Sequence, residues 1–189
     1  VSADNLTMVY GDDVPPLTYS LVGEELGGEP QLTTVVTSAS PVGTYPITVG
    51  KGSVTRHAVE YVAGTLTVTK APLTVTAKSY TIEQGAPLPD FEIEYAGFKN
   101  EETSSVLTKR PVVSCAATSW SAPGDYEIIP SDADAENYGI SYVKGTLTIT
   151  ANAAEIADGD YYLKNVGSGK FLTGANDWGT QASLGEYGL

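Results

Sequence analysis

Few side chains in this chain of 189 residues could do chemistry, and it has a single Cys and a single His. One Cys cannot build a thiolate cage for a metal ion, and one His excludes two-histidine metal motifs. A lone His also leaves little general-base chemistry. We therefore expect structural roles for Cys115 and His57, no enzyme activity, no cofactor and no metal site.

Two segments with grouped carboxylates need separate treatment. Tyr10-Gly-Asp-Asp13 matches the tetrapeptide with which nucleic-acid polymerases hold metal ions. The chain contains an internal repeat, and its second copy has Glu83-Gln-Gly-Ala86 at the equivalent place. We therefore predict a turn at 10–13. The segment 132–137 has oxygen ligands at alternate positions, as a calcium loop does. It lacks the Gly expected at position six, and Val143 stands at position twelve where Glu is required. A solvated loop is the simpler interpretation.

The two tryptophans are the candidates for ligand binding. Exposed aromatic rings can stack on sugars, and Trp120 precedes a predicted turn. Trp178 lies close in sequence to the amides and carboxylate of Asn176, Gln181 and Asp177, which is the chemistry of a sugar site. These five residues are the candidate glycan-binding residues. The alternative for either ring is local packing.

The charge balance excludes one class of partner. The chain has 23 acidic and 10 basic residues and a net charge of -13, which disfavours binding to nucleic-acid phosphates. No stretch approaches the ~18 apolar residues of a membrane span, so we expect no membrane insertion. The 20 Gly, 11 Pro and 12 Tyr, together with many Thr, favour short strands joined by turns.

These candidates must be positioned by an internal repeat. Residues 61–69 recur at 142–150 with seven of nine positions identical, at an offset of 81. Upstream the offset is 74, as Gly11 and Gly85 show, so the second copy has an insertion of seven residues after Gly97. We predict one module over 1–70, a second over 71–151, and a separate segment over 152–189.

Alternation within the repeat predicts strands with one buried face. Leu66 and Val68 share one face of Gly64–Thr69, and the threonines share the other. The insertion of the second module instead predicts a short helix. Asn100 is placed to cap it, Glu101 and Glu102 fall in its first turn, and Pro111 stops it after two basic residues.

Only Lys70-Ala71-Pro72 lies between the modules. A linker so short, with a proline, is not a free tether, and we expect it to hold the modules end to end as a stiff rod. Val1 aligns with Val75, inside the first strand of the second module. We therefore expect the chain to be an excerpt of a longer protein.

The spaced motifs of the repeat resemble the bacterial MBG domain of the YGX type. In the first copy they are Val9-Tyr-Gly-Asp12, Gly43-Thr-Tyr45 and Tyr61–Thr69. In the second they are Glu83-Gln-Gly-Ala86, Gly124-Asp-Tyr126, Asn137-Tyr138 and Tyr142–Thr150. The second copy lacks the tyrosine before its glycine, and the first has Arg56-His57 in place of Asn-Tyr.

The resemblance implies a mostly β, small α+β fold: two tandem two-layer modules, each with a single sheet, and one short helix in module two. An immunoglobulin-like sandwich is the alternative. The resemblance also implies a non-catalytic module of a secreted or cell-surface bacterial protein, acting as a stiff spacer or adhesin-like stalk. Its expected partners are glycans or host and surface proteins, with the chain a monomer within the larger protein.

The segment 152–189 departs from the repeat. Its sequence pattern predicts a hairpin with strands at 161–165 and 170–173. The segment also resembles the opening lobe of a ricin-type β-trefoil. That resemblance implies carbohydrate binding as the alternative function. A hairpin of this length cannot form a core alone, so we expect it to pack on module two.

Overall fold

The computed structural model describes residues 1–152, 171–173 and 183–185. It is 44% strand and 2% helix, which confirms the prediction of a mostly β fold. None of the described helices is long and apolar enough to cross a membrane. The Thr-rich alternating segments Gly64–Thr69 and Gly145–Thr150 form strands, because their branched side chains fit a pleated surface with one dry face.

Module one contains six strands in two sheets. The larger sheet has the order β2-β6-β5-β4, and β1 pairs with β3 in the smaller one. The strands are β1 Ser2–Ala3, β2 Leu6–Val9, β3 Tyr19–Ser20, β4 Gln31–Thr33, β5 Gly43–Gly50 and β6 Gly64–Thr69.

Module two contains seven strands in two sheets, with the orders β8-β13-β11-β10 and β12-β7-β9. The strands are β7 Ala71–Ala77, β8 Tyr80–Glu83, β9 Ile93–Ala96, β10 Val112–Cys115, β11 Gly124–Ser131, β12 Tyr138–Val143 and β13 Gly145–Thr150. β7 is central in its sheet, parallel to β12 and antiparallel to β9. After two residues the chain continues as β8 in the other sheet, parallel to β13.

The two modules share one register as well as one strand order. Ala77 pairs with Ile93 in module two, and the equivalent residues Ala3 and Tyr19 pair in module one. Ser2 forms an isolated parallel bridge to Val62, at the position where β7 pairs with β12. The sequence repeat is therefore a repeat of backbone pairing.

The predicted inward faces are the buried ones. Leu66 and Ile47 are fully buried in module one, as are Leu147 and Ile128 at the equivalent positions of module two. The core of module two takes residues from both sheets, with Ala77 on one and the pair Leu147 and Ile128 on the other. The two sheets therefore pack face to face.

The first residue of the repeated Gly-Thr-Leu-Thr motif is glycine for a steric reason. A Cβ on Gly145 would lie 2.6 Å from the carbonyl oxygen of Ala77, and one on Gly64 would lie 2.6 Å from that of Ala3. These carbonyls belong to the chain where it passes from one sheet to the other. The glycine lets that crossing segment lie directly against β6 and β13.

Two finer predictions are wrong. Each module has two sheets and not one, and the parallel pairs distinguish them from the purely antiparallel sheets of an immunoglobulin-like sandwich. The predicted helix is not formed, because Asn100 and Glu101 both have positive φ, which a right-handed helix does not accept. The insertion contains only one 3-10 turn, Ser104–Val106, which is capped by Thr103.

Residues Val1–Asn152 form one compact unit, and Ala153–Leu189 form a second. In the second unit β14 (Phe171–Thr173) pairs with β15 (Ser183–Gly185) in antiparallel fashion. The strand expected at 170–173 is thus present. The one expected at 161–165 lies outside the described residues, and the packing of this segment on module two stays a prediction.

Candidate functional site: the junction between the modules

The junction begins with an almost unbroken strand. β6 ends at Thr69 and β7 begins at Ala71, so Lys70 is the only residue between them. The Ala71 amide donates to the Asn137 carbonyl at 3.0 Å. The Lys70 ammonium donates to the Ala135 carbonyl at 3.1 Å. Lys70 is therefore held against module two, and both Ala71 and Pro72 already belong to β7.

The apolar core of module one continues into module two. Ala71 and Leu73 are fully buried, and they join Met8 and Val68 of module one in a single cluster. In the same cluster the rings of Tyr10 and Tyr138 meet edge to face, with centroids 5.6 Å apart and planes at 82°. Edge-to-face pairs add about 0.5–1.5 kcal/mol to the burial of the rings. The modules thus share a hydrophobic core.

One carboxylate joins the tyrosines of the two modules. The Tyr10 hydroxyl donates to Glu102 Oε1 at 2.7 Å, and the Tyr138 hydroxyl donates to Glu102 Oε2. The Tyr138 oxygen in turn accepts from the Lys99 amide at 2.9 Å. Both phenols are almost completely buried, so these bonds satisfy polar groups that would otherwise be costly to bury.

Glu102 is presented by a tight turn in the insertion. The Glu102 amide donates to the Lys99 carbonyl at 2.9 Å, and the two central residues, Asn100 and Glu101, have φ of 51° and 58°. Positive φ at both central positions is the requirement of a type I′ turn. Non-glycine residues there carry strain, and the contacts of Glu102 offset it.

Further polar contacts cross the rim of the junction. Asn137 Oδ1 accepts from the Val42 amide at 3.0 Å, and Asn100 Nδ2 donates to the Ser38 carbonyl at 3.3 Å. Lys99 and Asp12 form an ion pair at 2.9 Å with side chains 35% and 48% exposed. Such exposed pairs contribute about 0–1 kcal/mol. We therefore assign the main stabilisation to the shared core and the Tyr10–Glu102–Tyr138 contacts.

The electrostatics of the junction keep both phenols protonated. Burial, and then the hydrogen bond to Glu102, raise the pKa of Tyr138 to about 12. The hydrogen bond to Glu102, and then burial, also raise the pKa of Tyr10. A protonated phenol can donate to the carboxylate, whereas a phenolate would repel it. The arrangement therefore binds the modules to one another.

The structure separates the residues that the sequence singled out. Trp120 is 75% exposed and lies beside Gly85, at the end of module two away from the junction. The candidates Trp178, Asn176, Asp177 and Gln181 lie outside the described residues. Among the described residues, the two carboxylate segments included, no group of three or more His, Cys, Asp or Glu side chains that could hold a metal ion occurs.

The remaining singled-out residues have structural settings. The segment at 10–13 begins with the predicted turn, in which the Asp12 amide donates to the Val9 carbonyl at 3.0 Å. Cys115 is half-buried against the core of module two. His57 is exposed, whereas its counterpart Tyr138 is buried at the junction.

Sequence reasoning missed the junction itself. Tyr10 and Tyr138 belong to the repeated motifs, and were considered there only as motif residues. Glu102 was assigned to a helix. The available signal was the difference between the copies, because Tyr10 is Gln84 in copy two and Tyr138 is His57 in copy one. Equivalent positions at which the two copies have different residue types can indicate which ends of the modules face each other.

Gly11 tests whether close approach at the junction stabilises the unit. Gly11 has φ of 85°, and an added Cβ would overlap the Lys99 side chain. Gly23 has φ of 112° with nothing within 4 Å of an added Cβ. In urea denaturation, the free energy of unfolding should fall by about 1–3 kcal/mol more in Gly11→Ala than in Gly23→Ala. Both substitutions introduce backbone strain, but only Gly11→Ala also adds steric overlap. Equal losses would show that the contact contributes nothing.

The raised pKa of Tyr138 predicts a stability change at alkaline pH. A tyrosine that holds its proton more tightly in the folded state contributes fully to the free energy of unfolding below its ordinary pKa of 10. That contribution disappears as the pH rises toward about 12. A rise of about two pKa units corresponds to about 3 kcal/mol, at about 1.4 kcal/mol per unit. Over this range the free energy of unfolding of wild type should lose most of that amount relative to Tyr138→Phe. Tyr126→Phe, which removes a hydroxyl bonded to Ala122 at an exposed site, should behave like wild type. Parallel curves for wild type and Tyr138→Phe would contradict the prediction.

Comparison with known proteins agrees with the repeat geometry. The family model of the MBG domain (YGX type) matches residues 1–67 and 73–148. No family model matches the last segment as a ricin-type trefoil, so that resemblance stays a prediction. Searches of curated proteins and of solved structures gave no match. The two matched stretches cover most of the chain and coincide with the two modules of the fold. The chain therefore belongs to the MBG domain (YGX type) family, of which it carries two tandem copies.

Proposed function

We propose that the chain is a non-catalytic extracellular repeat segment that acts as a stiff spacer, or adhesin-like stalk, in a larger secreted or surface protein of bacteria. The observation that carries the proposal is the run from β6 to β7, interrupted by Lys70 alone. MBG domain repeats are found in extracellular or surface proteins, which agrees with such a role.

Stiffness follows from what bending at Lys70 would cost. Rotation of one module about this residue would take Leu73 out of the shared core, and a fully buried large side chain is worth about 1.5–3 kcal/mol. It would also separate Tyr10 and Tyr138 from their common partner Glu102. Because the apolar and polar contacts lie around the same strand, a small bend breaks several of them together.

Residual dipolar couplings of backbone amides test the stiffness. In the full chain, couplings from modules one and two are expected to fit a single alignment tensor. Insertion of Gly-Ser-Gly after Lys70 should require two tensors, because the added residues interrupt the strand. The same insertion after Gly28, in an exposed loop of module one, is the matched control and should keep one tensor.

Two outcomes would refute the spacer. One is a requirement for two tensors in the wild-type chain. The other is a compact particle by small-angle scattering, with the modules folded back on each other, where we expect an elongated one.

Carbohydrate binding is the second candidate function, and the exposure of Trp120 favours it. The side chain is 75% exposed although tryptophan is large and apolar. A Cβ added to Gly85 would lie 3.1 Å from the ring, so the glycine allows one part of the ring to rest on the backbone. A supported and accessible aromatic ring is suited to stacking on a sugar. Trp178, with Asn176, Asp177 and Gln181, belongs to the same proposal.

A glycan array probed with the full chain and its variants tests this candidate. Trp120→Ala, or Trp178→Ala, should weaken binding of any retained glycan about tenfold, close to 1.4 kcal/mol, through the lost stacking. Val35→Ala is the control, because Val35 is 78% exposed and apolar but has no ring. Absence of glycan binding, or equal binding by all variants, would remove this candidate.

A further inference from the structure

The strands by which the chain enters and leaves module two are parallel and share one register. The entry run consists of β7 and β8, and the exit run consists of β12 and β13. Ala71 pairs with Tyr138 where the runs begin, and Glu83 pairs with Thr150 where they end. An offset of 67 residues separates the partners in both pairs. The register is therefore kept where each run passes from one sheet to the other.

A side chain continues the pairing at this crossing. The Thr146 amide donates to Ser79 Oγ at 2.9 Å, and these two residues have the same offset as the strand pairs. At the equivalent place in module one the Thr65 amide donates to Asn5 Oδ1 at 2.9 Å. Both copies thus form this hydrogen bond, although the accepting residue differs between them.

Tension along the chain would act on opposite ends of the two runs. Force from module one enters through Lys70, at the amino end of the entry run, and force from the following residues enters through Ala151, at the carboxyl end of the exit run. A run of about 13 residues spans up to roughly 40 Å, whereas neighbouring strands are only about 5 Å apart. The force therefore acts mostly along the strands. Because the runs are parallel, it slides one along the other and stretches the hydrogen bonds between them together.

The first and last strands of module two are also held on both sides. β7 lies between β12 and β9, and β13 lies between β8 and β11. Leu73 and Val75 of β7 are fully buried, as are Leu147 and Ile149 of β13. Sliding either strand would break backbone pairing at both of its edges and draw apolar side chains out of the core.

We propose that module two is a mechanical clamp, in which the parallel pairing of the entry and exit runs, continued through the crossing by Ser79, resists unfolding when the chain is pulled along its length. The use of this resistance in the larger protein rests on the spacer proposal. The two can fail separately, because alignment tensors report the stiffness of the junction, whereas unfolding forces report the pairing within module two.

Pulling single molecules of the full chain in an optical trap from two pairs of positions tests the clamp. Both variants carry Cys115→Ser, so that tethers attach only at introduced cysteines, and both have one tether at Ala151→Cys. The second tether is at Lys70→Cys in the sliding geometry and at Glu83→Cys in the peeling geometry. All three tether positions are exposed.

At one loading rate, module two should unfold at a force about twofold or more higher when pulled from Lys70 than from Glu83, because forced unfolding depends on the barrier along the pulled direction. From Glu83 the force separates the carboxyl ends of the two runs, and their hydrogen bonds break one after another. The unfolding rate of each variant in urea without force is the control, since it does not depend on the direction of pulling.

A second comparison tests the crossing. In the sliding geometry, Ser79→Ala should lower the unfolding force more than Ser114→Ala does. Ser114 is also exposed, and its hydroxyl donates to the Ile129 carbonyl at 3.5 Å, but it belongs to β10, an edge strand outside the two runs. A higher force in the sliding geometry, with the larger loss in Ser79→Ala, supports the clamp. Equal forces in the two geometries, or equal losses from the two serine substitutions, overturn it.

Discussion

The single residue between β6 and β7 is the constraint on which the rest of the structure depends. A strand that leaves one sheet and enters the next after Lys70 fixes where module two begins and in which direction it runs. Ala71 and Leu73 are thereby brought against the end of module one, where they are fully buried. The core of module one then extends across the boundary, and the two MBG domains fold against one another.

The shared core buries polar groups at the boundary, and the insertion supplies their hydrogen-bond partner. Burial of Tyr10 and Tyr138 at the boundary removes two hydroxyl groups from water, and each needs a partner. Glu102 supplies one carboxylate oxygen to each. It reaches them because Asn100 and Glu101 accept a strained turn. The additional residues of module two thus serve the junction.

Equivalent positions in the two copies differ according to what lies beside them. Tyr138 is buried by module one, whereas its counterpart His57 is exposed. Gly11 lies against Lys99 of the neighbouring module, whereas Gly85 lies against Trp120 of its own module. Residues 138–143 form a strand beside β7, but the similar residues 57–62 are almost unpaired in the described part of the chain. Equivalent segments of the two copies therefore differ in secondary structure according to whether a neighbouring strand provides hydrogen-bond partners.

The sequence by itself determined the two modules, their strands and their inward faces. These properties depend on residues close together in the chain, as the alternation of Leu66 and Val68 shows, and on the match between two copies. Only the tertiary structure decided the two-sheet layering, the turn at Asn100 and Glu101, and the meeting of Tyr10 with Glu102 and Tyr138. The last contacts join residues about ninety and thirty-six positions apart. Their geometry depends on how β7 crosses the boundary, and no local pattern of side chains records it.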